Sequence, residues 1–297
     1  MPRAIDHLVI ASHDLEAQAA FYRRLGFQVG ARNRHPWGTE NHIVQFDGAF
    51  LELIGLGQGF AAPAPQAGVF SFPGFISGFL ARRQGLAMLA MRSADAEADR
   101  KVFAAEGLGD FVRFDFARKA QRADGGEADV AFSLAFAACP AIADAGFFVC
   151  EHKFPENFWS RAAQIHANGA VAVSGVTLVH ERPEEAASFL LRFARAAQLR
   201  AIPEGCVVGD DGADLECVTP RGFEQRYGAD IIAADGPPLA LARIGVADLR
   251  DVESILDQSH IARRRVGDLV LVAAPDAFGL ALAFEAKPPA SSPPHAL

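Results

Sequence analysis

The chain is 297 residues long, 51% hydrophobic and 22% charged, with a formal net charge of -8 at pH 7. That apolar share excludes a disordered polymer, and the acidic balance excludes the concentrated Lys and Arg that a nucleic-acid partner needs. The length suits two domains of about 150 residues, each with its own core.

One order of elements recurs: apolar strand, acidic cap, amphipathic helix, then three strands. In the first copy residues 5–11 (IDHLVIA) are apolar on both faces, as in a strand covered on both sides. Ser12, His13 and Asp14 supply capping side chains, Leu15, Phe21, Tyr22 and Leu25 fall near helical spacing, and Gly26 stops the helix. Residues 27–34, 41–46 and 50–56 are predicted as strands, the last two joined by the turn Asp47-Gly48. Residues 57–72 form a Pro/Gly/Ala loop whose Phe60, Phe70 and Phe72 suggest that it covers something.

The second copy opens with residues 86–92, carries a helix over 96–106 and continues in strands 111–118, 130–137 and 147–152. A domain boundary is expected between residues 162 and 174, where periodicity is lost around Asn168-Gly169. The third copy begins at 176–179, has its helix around 184–196 and ends in a strand at 214–219. The fourth runs from Leu239 through a helix at 249–258 to strands at 268–273 and 280–285. DGAFLELI at 47–54 against DGADLECV at 211–218 is the best local sign of duplication. The tail 288–297 is expected to be disordered.

Cys139, Cys150, Cys206 and Cys217 show no CxxC spacing and the N-terminus has no signal-peptide pattern, so a reducing cytoplasm is expected. The most apolar stretch, residues 130–143, is too short to span a bilayer, and no membrane partner is expected. The basic run Arg263 to Arg265 is taken as a solvated strand entrance.

A carboxylate in a strand apolar on both sides must be neutralised, hydrogen-bonded or metal-bound. Glu52 in AFLELIGL and Glu151 in FFVCEHK are such cases, and His7 is the only polar group between Asp6 and Ser12. Asn41 and Gln45 share one face of their strand and His42 takes the other; all three are candidate substrate contacts, while His35 is placed in the loop before Pro36-Trp37-Gly38. Cys150 and His152 share a strand face but lack a third, orienting group, and His180-Glu181 is taken as a surface pair.

Residues 5–27, with Leu51 to Leu53 and the run HPWGTENHIVQFDGAFLELIG at 35–55, resemble the glyoxalase/bleomycin-resistance (vicinal oxygen chelate) superfamily. The resemblance is strong over residues 1–56, moderate to about 160 and weak beyond. It implies an α+β fold of four βαβββ modules, paired into two domains with curled mixed sheets and helices outside. The domains are expected at 1–166 and 170–287, the second degenerate. The family's first-strand ligand position falls on His7 and its fourth-strand glutamate on Glu52. Aligning Ser12 with Ser93 puts Met88 opposite His7 and the second fourth-strand position on Glu151, or on His152 after a one-residue slip. In modules three and four Gly175 and Leu241 stand near the counterparts of His7, while Glu216 survives and Glu285 lies near the equivalent place.

The resemblance implies a divalent metal (Zn, Ni, Mn or Fe) on His7, Glu52 and either Glu151 or His152, with Glu52 or Glu151 moving a proton. The function expected is a metal-dependent lyase or isomerase that chelates vicinal oxygens of a small organic substrate. Two alternatives stand beside it: an extradiol-type dioxygenase, which needs His152 inward, and a metal-free binding or sequestration protein, which Met88 favours. Tandem modules complete the cavities within one chain, and a homodimer is compatible with this but not required.

Overall fold

The computed structural model describes residues 2–121, 126–209, 213–232 and 236–287; the tail 288–297 and the turn Asp211-Gly212 lie outside the described residues. The first sheet contains β1 (Ile5–Ala11), β2 (Asn33–Arg34), β3 (Thr39–Gln45), β4 (Phe50–Leu56), β5 (Gly85–Arg92), β6 (Phe114–Gln121), β7 (Glu127–Ala137) and β8 (Gly146–His152). Its strand order is β2-β3-β4-β1-β5-β8-β7-β6. Two modules therefore meet at the antiparallel pair β1 and β5, and each central strand runs parallel to the last strand of its own module.

The second sheet repeats this plan with β9 (Ala170–Val179), β10 (Leu199–Ile202), β11 (Gly205–Val208), β12 (Asp214–Val218), β13 (Leu239–Val246), β14 (Arg264–Val266), β15 (Leu269–Val272) and β16 (Ala281–Ala286). Its order is β10-β11-β12-β9-β13-β16-β15-β14, position for position the same. The expected α+β class and modular plan hold.

Helices α1 (Leu15–Arg24) and α3 (Ala96–Ala105) follow the first strands of their modules, and each starts on an aspartate that accepts from a backbone N–H three residues on: Asp14 from Ala17 and Asp95 from Ala98, both at 2.9 Å. This is the capping that frees a first turn from unpaired donors. Helices α5 (Pro183–Phe193) and α7 (Leu249–Gln258) stand likewise in the second half. Their apolar faces and the outer faces of both sheets merge into one buried cluster running from Ile5 to Phe284. Aromatic contacts stitch the halves together, with Phe147 4.8 Å from Phe189 and Phe103 5.9 Å from Phe193. Gly85 and Gly279, both at positive φ, let the two backbones touch where any Cβ would collide with a carbonyl.

Several elements differ from expectation. Residues 27–32 form no strand; one backbone–backbone bond, Gly30 N–H to the Ile43 carbonyl at 2.9 Å, ties them to β3 before the two-residue β2. Strand β9 begins at Ala170, inside the expected boundary, because AVAVS alternates as a strand of small residues. Helix α2 (Phe72–Leu80) appears beyond the predicted covering loop. Its sequence, FPGFISGFL, has no polar face, since it packs into the hollow of the first sheet through Phe72, Ile76 and Phe79. Helix α6 (Pro220–Tyr227) fills the second hollow in the same way with Phe223 and Tyr227. A short helix, α4 (Pro155–Phe158), follows the first sheet. Among the described residues no helix is long and apolar enough to cross a membrane.

Candidate functional site

The hollow of the first sheet holds a cavity of about 470 Å³, its open mouth included. Aromatic rings surround it in a connected series: His7 stacks on Phe50 at 4.3 Å, Phe50 meets Phe158 at 5.0 Å, and Phe158 meets Phe132 at 5.7 Å. On the far side Phe132 stacks on Phe116 at 5.1 Å, Phe116 meets Trp37 at 4.9 Å, and Trp37 stacks on His35 at 4.7 Å. The polar groups lining the cavity are His7, His35, Asn41, Glu52, Arg118 and the thiol of Cys150.

His7 comes from β1 and Glu52 from β4, and these strands are neighbours in register, with His7 opposite Phe50 and Val9 opposite Glu52. Both side chains face the hollow, with His7 Nε2 4.0 Å from Glu52 Oε2 and each side chain under a tenth exposed. A register shift between Ile5 and His7 in the β1–β5 pair places the intervening Asp6 beside His7, although strand neighbours ordinarily point apart. Asp6 Oδ1 is 2.6 Å from His7 Nδ1, and His152 Nε2 lies 3.1 Å from Asp6 Oδ2. Burial raises the Asp6 pKa, but hydrogen bonds from His152 and His7 outweigh it and hold the carboxyl below the usual carboxylate range. An ionised Asp6 accepts only, so His7 donates to it from Nδ1–H, which leaves Nε2 as the ring atom facing Glu52.

Glu52 is fixed from its other oxygen: the Asn41 amide donates to Oε1 at 2.5 Å and lies 3.3 Å from His35 Nε2. Burial lowers the His35 pKa, consistent with a neutral ring that accepts from Asn41. His35 Nδ1 lies 2.8 Å from Thr39 Oγ1, which also accepts from Trp37 Nε1 at 2.7 Å. His35 sits in the loop before Pro36-Trp37-Gly38, as expected, and from there forms a wall of the cavity. The other predicted substrate contacts separate. His42 turns to the helix side, with Nδ1 2.8 Å from the Gly30 carbonyl and Nε2 3.3 Å from Glu16. Gln45 clamps the segment after β8, donating to the Phe158 carbonyl at 2.8 Å and accepting from Ser160 N–H at 2.9 Å.

The second module does not bring Glu151 to the site. Ser12 N–H donates to the Ile54 carbonyl and Ser93 N–H to that of Cys150, both at 2.9 Å, and Ala90 pairs with Phe148 as Val9 pairs with Glu52. The counterpart of Glu52 is therefore Phe148, and that of His7 is Met88; both are apolar and buried. Glu151 faces the opposite side, where it accepts from Ala96 N–H at 3.0 Å, at the positive end of α3, and pairs with Lys153. His152 does turn to the hollow side, as the one-residue slip anticipates, but it binds Asp6 and does not line the cavity. His7, His152 and Glu52 therefore do not converge.

Asp6, His7 and Cys150 place three possible donor atoms within 4.8 Å of one another. Burial pushes the Cys150 thiol well up, with Asp6 and Glu52 adding to the effect, so this sulfur is held as a thiol. His7 and Glu52 offer a second place that could hold a divalent ion. Asp6 orients His7 as carboxylates orient metal-bound imidazoles, and a 4.0 Å gap suits two donors that each lie about 2.0–2.2 Å from one ion.

The second sheet shows what happens without His7. Thr177 pairs with Glu216 as Val9 does with Glu52, which puts Gly175 in the His7 position as expected. Arg243 pairs with Gly175, and a Cβ there would collide with its guanidinium. That guanidinium donates to Glu216 Oε1 at 2.5 Å, while Tyr227 and Thr177 donate to Oε2 at 2.6 and 2.9 Å. An internal cation thus occupies the space and neutralises the charge.

A family model described as "Glyoxalase-like domain" matches residues 5–194. Among solved structures, a hypothetical protein from Staphylococcus aureus is similar at 11% identity and a TM-score of 0.65, covering 95% of this chain and 99% of that one. A mutant of 4-hydroxymandelate synthase from Streptomyces coelicolor is similar at 12% identity and a TM-score of 0.53, covering 96% and 94%. A variant of homoprotocatechuate 2,3-dioxygenase from B. fuscum is similar at 12% identity and 0.53, covering 98% and 73%. At such identities the likeness is one of fold. No curated protein matches the sequence.

Proposed function

The chain belongs to the glyoxalase-like family, and we propose that the hollow of its first sheet is the active site of a lyase or isomerase that holds vicinal oxygens of a small organic substrate at His7 and Glu52. The observation that carries this reading is the buried line Asp6–His7–Glu52, at 2.6 and 4.0 Å, opening into an aromatic cavity. His7 and Glu52 would hold a divalent ion, Zn, Ni, Mn or Fe, which when bound supplies Lewis-acid stabilisation of a developing oxyanion.

The chain's own groups divide the remaining work. Glu52 is the one carboxylate lining the cavity among the described residues, so proton transfer at a substrate carbon falls to it. Asn41 holds its Oε1, so Oε2, the oxygen that would also hold the ion, takes the proton only when displaced from that role. Asp6 keeps His7 in one tautomer and one orientation. The rings around the cavity keep bulk water from the reacting atoms, where charges interact more strongly than in solution.

The test is deuterium incorporation from D2O into a panel of small α-hydroxy ketones and 2-oxo acids, followed by NMR with Mn(II) present. Glu52→Gln should cut exchange by about 100-fold or more. Absence of exchange in the wild type, or equal exchange in the variant, overturns the reading. Met88 and Phe148 at the second module's ligand positions favour a second reading, a metal-free binding protein. Ligand retention that survives chelator treatment and His7→Ala would select it.

A further inference from the structure

Arg118, on β6, faces the same hollow as Phe114 and Phe116 by the period of two along the strand, and it lines the cavity. Among the described residues it makes no ion pair within 4.0 Å; its Nη1 donates to Asn33 Oδ1 at 3.2 Å and to the Lys119 carbonyl at 3.3 Å. A guanidinium carries five N–H donors, so most of its capacity remains for a ligand. Burial disfavours its charge, which nearby Glu52 offsets only in part. A positive group in an aromatic wall without a carboxylate against it costs free energy unless something negative arrives.

A second observation points the same way. Arg118 also lines an outer cleft next to the cavity, and that cleft carries Arg32, Arg34 and Lys119 but no acidic side chain among its lining residues. Arg32 and Arg34 pair with the buried Glu40, Arg32 also with Glu16, and Lys119 with Asp129. Arg118 alone of the four stands without a carboxylate at the junction of cleft and cavity. On a chain of net charge -8, a cationic approach of this kind steers anions inward. Inside, Asn41 Oδ1 is buried without a hydrogen-bond partner, a vacant acceptor beside Glu52.

We propose that the cavity takes an apolar or aromatic carboxylate, with Arg118 receiving the carboxylate, the ring lying among Phe116, Phe132 and Phe158, and a donor of the substrate reaching Asn41 Oδ1. This rests on reading the cavity as a substrate site and adds the class of substrate. Arg118 is then the residue that sets specificity for charge, distinct from the proton-moving Glu52.

The experiment compares phenylacetate with its neutral isostere phenylacetamide by calorimetric titration at low ionic strength. The wild type should prefer the acid by about tenfold or more, as expected for hydrogen bonds to a charged group. Arg118→Gln should bring the ratio to about one while amide affinity holds, and Arg118→Lys should keep part of the preference. Added salt should weaken the acid alone. Equal binding of acid and amide by the wild type, a preference that survives Arg118→Gln, or no binding of either probe overturns the inference. The readout is binding, so it stands apart from proton exchange: loss of exchange with Arg118-dependent binding intact removes the catalytic reading only.

Discussion

Replacing Asp6 by alanine removes the acceptor shared by two buried imidazoles, His7 at 2.6 Å and His152 at 3.1 Å. Hydrogen bonds to an ionised group contribute about 1.5–3 kcal/mol each, so Asp6→Ala should cost about 3–6 kcal/mol out of a usual total of about 5–15. Urea unfolding followed by circular dichroism measures this directly. The pH dependence has a definite sign. Because the folded-state pKa of Asp6 is depressed, its contribution is fully present above the unfolded value of about 3.9 and is lost as pH falls through the folded one. The gap between wild type and variant should hold down to about pH 5 and narrow below about pH 4. A loss under about 1 kcal/mol, or a gap that does not narrow in acid, refutes the argument that these two contacts stabilise an ionised Asp6.

In the second sheet, Arg243→Ala leaves Glu216 buried with less compensating charge and should cost about 3–5 kcal/mol in the same unfolding assay, whereas the double variant Arg243→Leu with Glu216→Leu should restore most of it. Glu216 is pulled below its usual range: burial opposes this, but Arg243 and Tyr227 outweigh it. Its share of stability is therefore present above about pH 4.3 and lost in stronger acid. Gly279→Ala forces a Cβ into the Gln84 carbonyl where the two sheets meet and should lower stability by about 1–3 kcal/mol, seen as a drop in melting temperature. Glu151→Gln lies on the face away from the cavity and should leave solvent-proton exchange unchanged while costing about 1 kcal/mol of stability or less, as exchange and unfolding measured on one preparation will show.

The modular plan was legible because each copy carries the same local chemistry. Asp14 and Asp95 cap their helices, and a glutamate recurs at 52 and 216 one strand from an apolar start. The elements missed are those whose pattern tertiary packing overrides. Helix α2 is apolar all round because it lies in a hollow, so it shows no amphipathic stripe, and the short strands β10, β11 and β14 have three or four residues each. Within the site, His7 and Glu52 could be placed because one register fixes both faces. The sequence alone does not exclude Glu151 because aligning Ser12 with Ser93 fixes the first strand of the module and not the last, and only the pairing sets Phe148 opposite Ala90. Asp6 gives no sequence signal because period two points it away from His7, and only the register shift brings it back. Arg118 gave no signal in isolation, since its meaning lies in a missing partner.

The most direct measurement is titration of chelator-stripped protein with Mn(II), read by calorimetry and by the electron-spin-echo coupling of the bound ion to nitrogen. One ion per chain, with a single imidazole coupling that disappears in His7→Ala and an affinity lowered in Glu52→Gln, is the predicted result. An ion that binds equally well to the His7→Ala protein, or a wild type that takes up none, would contradict it.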